Sequence, residues 1–243
     1  MNSRHAIMLV ALSATLVGAL AYFPSIIPLG DVVTQKSTGR ATVASRLNQY
    51  GEVSRSRLAP FFSAAKANYP PQQVVLLALK EEKRLELYAR NSDAESWKLV
   101  IEKPILAASG KMGPKLREGD LQVPEGFYRV ESLNPNSAFH LSLRVSYPSA
   151  EDKEVAAMEK RTNLGGDIMI HGGAGSVGCL AMGDEFAQDL FVMAAESERE
   201  NIQIVICPLD FRKENVPHDA NRPQWVSKRY AKLKNFCQTL TSS

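Results

Sequence analysis

Residues 168–182 read Ile168-Met169-Ile170-His171-Gly172-Gly173-Ala174-Gly175-Ser176-Val177-Gly178-Cys179-Leu180-Ala181-Met182. This stretch decides the fold and the chemistry together. Asp167 to Ile170 reads as a strand that ends at His171, and Cys179 follows a glycine-rich turn. Seven of the chain's 15 glycines fall between Gly165 and Gly183, which concentrates backbone freedom beside one histidine and one cysteine. A thiol attacks carbonyls as the thiolate, and an ordinary cysteine is only slightly ionised at neutral pH, so it needs a nearby imidazole or helix N-terminus. A strand delivering His171 and a turn returning Cys179 beside it supply that pair, with the N–H groups of Gly178 and Cys179 left to face an oxyanion. Without the chemistry, the same residues describe a flexible loop with a buried cysteine and a surface histidine.

Working outward, Val74 to Leu79 is a continuous apolar run, followed by a charged turn at Lys80 to Arg84 and by Leu85, Leu87 and Ala89 in alternation. Trp97 to Ile101, the segment after Pro124-Glu125-Gly126, Phe139 to Ser146 and Ile202 to Ile206 also read as strands. Helices are expected in Ala41 to Asn68, broken near Gly51 and Pro60, and in Ser149 to Lys160 behind a serine cap. Asp184 is expected to cap another through Ala195, and Pro223 to Leu240 reads as a basic amphipathic helix with Val226, Tyr230, Leu233 and Cys237 on one face. The expected fold is α+β, mainly β, with peripheral helices.

Arg4 and His5 precede an uncharged run from Ala6 to Phe23, and Ala19-Leu20-Ala21 fits the small-x-small cleavage rule. Residues 1–23 are expected to be a signal peptide or an uncleaved N-terminal membrane anchor, which places the remainder across a membrane. Residues 24–40 read as a linker, 41–72 as a helical lead-in, 73–212 as the catalytic domain and 213–243 as the C-terminal helix. Export makes disulfides admissible, so Cys207 and Cys237 either pair, leaving Cys179 free, or are small buried hydrophobes. The 29 basic and 26 acidic side chains, net +3, are spread along the chain and form no nucleic-acid stripe. No His-Glu-x-x-His, Cys-x-x-Cys or Gly-x-x-x-x-Gly-Lys occurs, so neither a metal nor a cofactor is expected.

Ile170-His171-Gly172 and Ser176-Val177-Gly178-Cys179 resemble the catalytic signature of the YkuD-type L,D-transpeptidases. Pro124-x-Gly126-x-Tyr128 resembles a strand start upstream in that family. Ser109 to Asp120, with Leu133-Asn134-Pro135-Asn136-Ser137, looks like its YafK-like branch. The resemblance covers roughly residues 73–212, and three motifs in order are more specific than any one of them. Two departures stand out. Val177 occupies the place of the usual second histidine, and only seven residues separate His171 from Cys179, with Ala181 where a polar residue is common.

The resemblance implies a periplasmic enzyme of cell-wall remodelling. Cys179 attacks the carbonyl on the L-centre of a diaminopimelate in a peptidoglycan stem peptide and forms a thioester. His171 takes the thiol proton and then activates an amine or water. Transfer to an amine makes crosslinks or attaches a protein, whereas transfer to water makes an amidase that trims crosslinks or releases a peptidoglycan-linked lipoprotein. A wall-binding module without catalysis is the other class. Ser176 is expected to orient the loop, and Gly172 and Gly173 to offer carbonyls that fix the imidazole tautomer. Lys111, Lys115, Arg117 and Arg212 are candidate partners for the diaminopimelate carboxylate, and Tyr128 a candidate pocket wall. His140 and His218 read as structural or surface residues.

Overall fold

A computed structural model describes residues 39–220 and 222–240. The expected export segment and residues 24–38 of the linker lie outside them. Helix α1 (Val43–Ala64) starts at Thr42, whose hydroxyl accepts from Ser45 N at 3.1 Å while Ser45 Oγ accepts from Thr42 N at 2.9 Å. The expected break near Gly51 and Pro60 is absent. Gly51, Ser54, Leu58 and Phe62 are buried at spacings of three and four, so one packed stripe runs past both residues and overrides their poor helix propensity.

Nine strands follow among the described residues: β1 (Gln73–Leu79), β2 (Arg84–Arg90), β3 (Lys98–Pro104), β4 (Ala107–Ala108), β5 (Gly126–Ser137), β6 (His140–Val145), β7 (Met169–His171), β8 (Leu180–Ala181) and β9 (Ile202–Cys207). They lie side by side in the order β3-β2-β1-β9-β5-β6-β7-β8-β4. The pairs β1/β9 and β7/β8 are parallel and the rest antiparallel. Helices α2 (Ala150–Met158), α3 (Asp184–Glu196) and α4 (Gln224–Thr239) complete an α+β domain. Ser149 caps α2 as expected, its hydroxyl accepting from Asp152 N at 3.2 Å.

The sheet has two unlike halves. In β1, Val74, Leu76 and Ala78 pack into the core that α1 and α3 cover, whereas Val75, Leu77 and Leu79 pack with Val226, Tyr230, Leu233 and Cys237 of α4. Both faces are buried there, which is why the strand reads as an unbroken apolar run. In β6, Leu141, Leu143 and Val145 enter the α1/α3 core and are joined by Ile170 of β7 and Leu180 of β8. The intervening residues Ser142, Arg144, Met169, His171 and Ala181 take the opposite face, which no helix of the described residues layers as α4 layers β1. The register is therefore pinned, because a one-residue slip would exchange core for chemistry.

Buried charges tie α4 to this frame. Glu125 Oε1 accepts from Lys80 Nζ at 2.9 Å and from Gly113 N at 2.8 Å, and Tyr230 OH donates to Glu125 Oε2 at 2.6 Å. Arg229 Nη1 donates to Glu125 O at 3.0 Å and to Asp152 Oδ1 at 2.8 Å. Each charge is paired, as low dielectric requires.

Candidate active site

Strand β7 delivers His171, and the chain then reverses through residues 172–178 to enter β8 parallel to β7, with Ile170 opposite Leu180 and His171 opposite Ala181. Continuing the register by one residue sets Cys179 opposite Met169, so the thiol and the imidazole share one face. Strand spacing of about 4.8 Å and a rise of about 6.6 Å over two residues put their Cα atoms roughly 8 Å apart.

The imidazole is fixed on several sides. His171 Nδ1 lies 2.5 Å from Gly172 O, an oxygen that can only accept, so Nδ1 carries the proton and Nε2 is left as the base. Phe139 stacks on the ring with centroids 4.7 Å apart and planes at 28°. His171 O accepts from Met182 N at 2.8 Å, and Gly172 N donates to Leu141 O at 3.2 Å. The sequence reading has Asp184 capping α3, but its carboxylate leaves its own helix: Asp184 Oδ1 accepts from Gly173 N at 2.7 Å. A side chain on Gly172 would begin 2.5 Å from Asp184 Oδ1 and 2.9 Å from Phe139 O, so the position has room only for glycine.

The thiol is half-buried. Met169 N donates to Cys179 Sγ at 3.4 Å, and Sγ donates to Asp167 O at 3.6 Å. Burial pushes its pKa up, the Met169 N–H works the other way, the Asp167 charge raises it further and Lys115 lowers it, with a net rise. Cys179 therefore rests as a thiol rather than a pre-formed thiolate.

Two serines organise the nucleophile loop. Ser176 Oγ accepts from Cys179 N at 3.1 Å and from Ser109 N at 3.2 Å, and donates to Cys179 O at 2.6 Å. Ser109 Oγ accepts from Gly178 N at 2.5 Å and donates to Leu121 O at 2.8 Å. The N–H groups that the sequence leaves free thus both carry serine oxygens, and an incoming carbonyl oxygen has to take a hydroxyl's place. Ser109 as a site residue is invisible in the motif, because its contact with Gly178 crosses 69 positions of sequence.

The loop beyond Ser109 forms one wall of a groove of about 640 Å³. Asp120 builds this wall by accepting from Lys115 Nζ at 2.6 Å and from the N–H groups of Leu116, Arg117 and Gln122 at 2.8, 3.0 and 3.1 Å. Burial opposes its charge, but these donors prevail and lower its pKa. Arg117 on one wall and Lys160 on the other line the groove and are exposed. The first wall approaches the loop before Cys179: Gln122 O lies 3.5 Å from where a side chain on Gly178 would start, while neither Cys179 nor His171 lines the groove itself.

Other candidates fall elsewhere. Lys111 is exposed on the same loop, its N–H donating to Gln122 Oε1 at 2.8 Å. Lys115 is buried and spends its ammonium on Asp120 and Arg117 O. Tyr128 is core, its hydroxyl donating to Glu125 O at 3.2 Å. Arg212 is removed from the site by β5 and β6, and is held by Asp210 Oδ1 at 2.6 Å, Tyr88 OH at 2.6 Å and Glu86 Oε1 at 2.9 Å, so its fork has no place for a substrate carboxylate. His140 contacts Gln188 Nε2 at 2.9 Å and the Tyr50 ring, and His218 is exposed, as structural and surface residues. Val177 is 74% exposed, leaving His171 as the histidine of the motif. Among the described residues no cluster of His, Cys, Asp and Glu is arranged to hold a metal.

A base-fixed imidazole and a half-buried thiol thus share one face of the sheet. The L,D-transpeptidase catalytic domain family (YkuD) matches residues 72–206, and the chain belongs to it. It is 30% identical over 192 residues to "Putative L,D-transpeptidase YafK" of Escherichia coli (strain K12), covering 77% of this chain and 71% of that one. Among solved structures it is similar to the helical cell shape determining protein Pgp2 from Campylobacter jejuni, with 23% identity, a TM-score of 0.44 and coverage of 68% of this chain and 57% of the other. Bd1075 of Bdellovibrio bacteriovorus matches with 21% identity, a TM-score of 0.40 and coverage of 70% and 57%. The chain spans under two thirds of the length of these solved chains.

Proposed function

We propose that the protein is an exported enzyme, periplasmic or tethered to the inner membrane, that remodels peptidoglycan by passing a stem-peptide acyl group through a Cys179 thioester. The observation that carries this reading is the His171–Gly172 contact, which leaves Nε2 as a base on the same sheet face as a neutral thiol. His171 Nε2 removes the Cys179 proton as Sγ attacks the carbonyl on the L-centre of diaminopimelate. The tetrahedral oxygen displaces Ser109 Oγ or Ser176 Oγ from the N–H groups of Gly178 and Cys179. Imidazolium returns its proton to the departing amine, and the thioester remains. His171 then activates an amine, which gives transfer, or water, which gives hydrolysis of a crosslink or of a lipoprotein linkage. The groove between Arg117 and Lys160 offers two cations to the free carboxylates of an acidic stem peptide.

Purified sacculi carrying bound lipoprotein, incubated with wild type or Cys179→Ala and digested for mass spectrometry, test the proposal. New crosslinks indicate transfer and released peptide indicates hydrolysis, each only with wild type. Identical digests from the two proteins refute it.

A further inference from the structure

Two cysteines outside the active site lie against each other. Cys207 ends β9, Cys237 sits in the last turn of α4, both are fully buried, and their sulfurs are 3.6 Å apart as free thiols. The surrounding side chains include Leu79, Val205, Leu233 and Leu240. Two small hydrophobes would fill the same space. What distinguishes this pair is that side-chain rotation bringing the sulfurs about 1.5 Å closer gives a bond of about 2.05 Å.

We propose that Cys207 and Cys237 are a modification site, oxidised to a disulfide that staples α4 to the sheet. The inference rests on the export reading, because such a bond persists only in an oxidising compartment. Two S–H bonds break and one S–S bond forms. The two electrons and two protons pass to a disulfide oxidant, either glutathione disulfide or a thiol–disulfide oxidoreductase, which leaves as two thiols. The Cys237 sulfur contact and burial keep the Cys207 thiol protonated well above the usual range in the folded protein. Exchange through the thiolate is therefore slow once α4 has docked, and the bond forms as the helix closes on the sheet.

The staple acts on two parts of the molecule. α4 carries Arg229 and Tyr230, which hold Glu125, and Glu125 in turn holds Gly113 at the root of the groove loop. Fixing α4 thus fixes that wall. Pairing Cys207 with Cys237 also leaves half-buried Cys179 without a cysteine partner to trap it.

The test is to refold the full chain with reduced and oxidised glutathione, quench with an alkylating agent, and map peptides without reduction. The proposal predicts a crosslinked 207–237 peptide, alkylated Cys179 and a Tm roughly 5–15 °C above that of the reduced protein. Recovery of Cys207 and Cys237 as separate alkylated peptides, or a crosslink involving Cys179, overturns it. Cys207→Ala/Cys237→Ala is expected to lose the Tm difference and keep muropeptide turnover, whereas Cys179→Ala keeps the crosslink and loses turnover. A mass readout that fails while turnover persists rejects the staple and leaves the active-site reading standing.

Discussion

The sheet half around β1 and β9 is covered on both faces, whereas the half around β6, β7 and β8 is packed on one face and carries His171 and Cys179 on the other. Stability and the proposed chemistry are thereby separated: residues in the first half hold the fold, and the second face of the other half carries the proposed base and nucleophile. Substitutions in the two halves should dissociate cleanly.

The largest effect is expected for Cys179→Ala, which removes the nucleophile from the open face. Turnover should fall on the order of 10⁴-fold or more, and the melting curve should barely move because the thiol is half-buried. A large Tm loss in this variant would break the comparison. Glu125→Ala tests the opposite half. It leaves Lys80 buried without its carboxylate and should cost about 3–5 kcal/mol in denaturant unfolding, with kcat of the surviving folded protein near wild type.

Ser109→Ala alters a residue that follows edge strand β4, at the start of the groove loop. It frees Gly178 N–H and cuts the tie between groove loop and nucleophile loop, so KM should rise up to about tenfold, the worth of roughly 1.4 kcal/mol, with a smaller change in kcat. Equal losses in kcat and kcat/KM would instead give Ser109 a transition-state role.

The resting thiol makes a pH prediction. Because burial raises the Cys179 pKa, its alkylation by iodoacetamide without substrate should be slower at neutral pH than that of free glutathione and should still climb where an ordinary thiol has levelled off. A plateau below the ordinary thiol range would mean a pre-formed thiolate. The smallest effect belongs to Arg144→Met. Arg144 pairs with Asp167, whose charge already raises the thiol pKa, so losing Arg144 should move the alkylation midpoint further up.

Sequence periodicity exposes the two halves before any coordinates. Val74 to Leu79 is apolar without interruption because both faces of β1 are buried, and Leu141-Ser142-Leu143-Arg144-Val145 alternates because β6 has one covered face. The α4 face of Val226, Tyr230, Leu233 and Cys237 is legible for the same reason. The two-residue strands β4 and β8 are not, since pairing across distant sequence defines them. The cysteine–histidine pair is visible as a motif, but the clamps on it are not. Ser109, Asp184 and Phe139 reach the loop through tertiary contacts, and Arg212 resembles a free cation until Glu86 and Asp210 are seen to hold it. Gly51 and Pro60 mislead for a related reason, because helix propensity is local and the stripe that overrides it is not.

In the proposed mechanism, acyl transfer passes through Cys179. Intact-protein mass spectrometry after rapid acid quench of the enzyme with a diaminopimelate-containing tetrapeptide stem tests it most directly. The predicted result is a thioester adduct of the acyl fragment's mass, mapped to Cys179, absent from Cys179→Ala and strongly reduced in His171→Ala. Product formation with no adduct in wild type, together with full activity in Cys179→Ala, would contradict it.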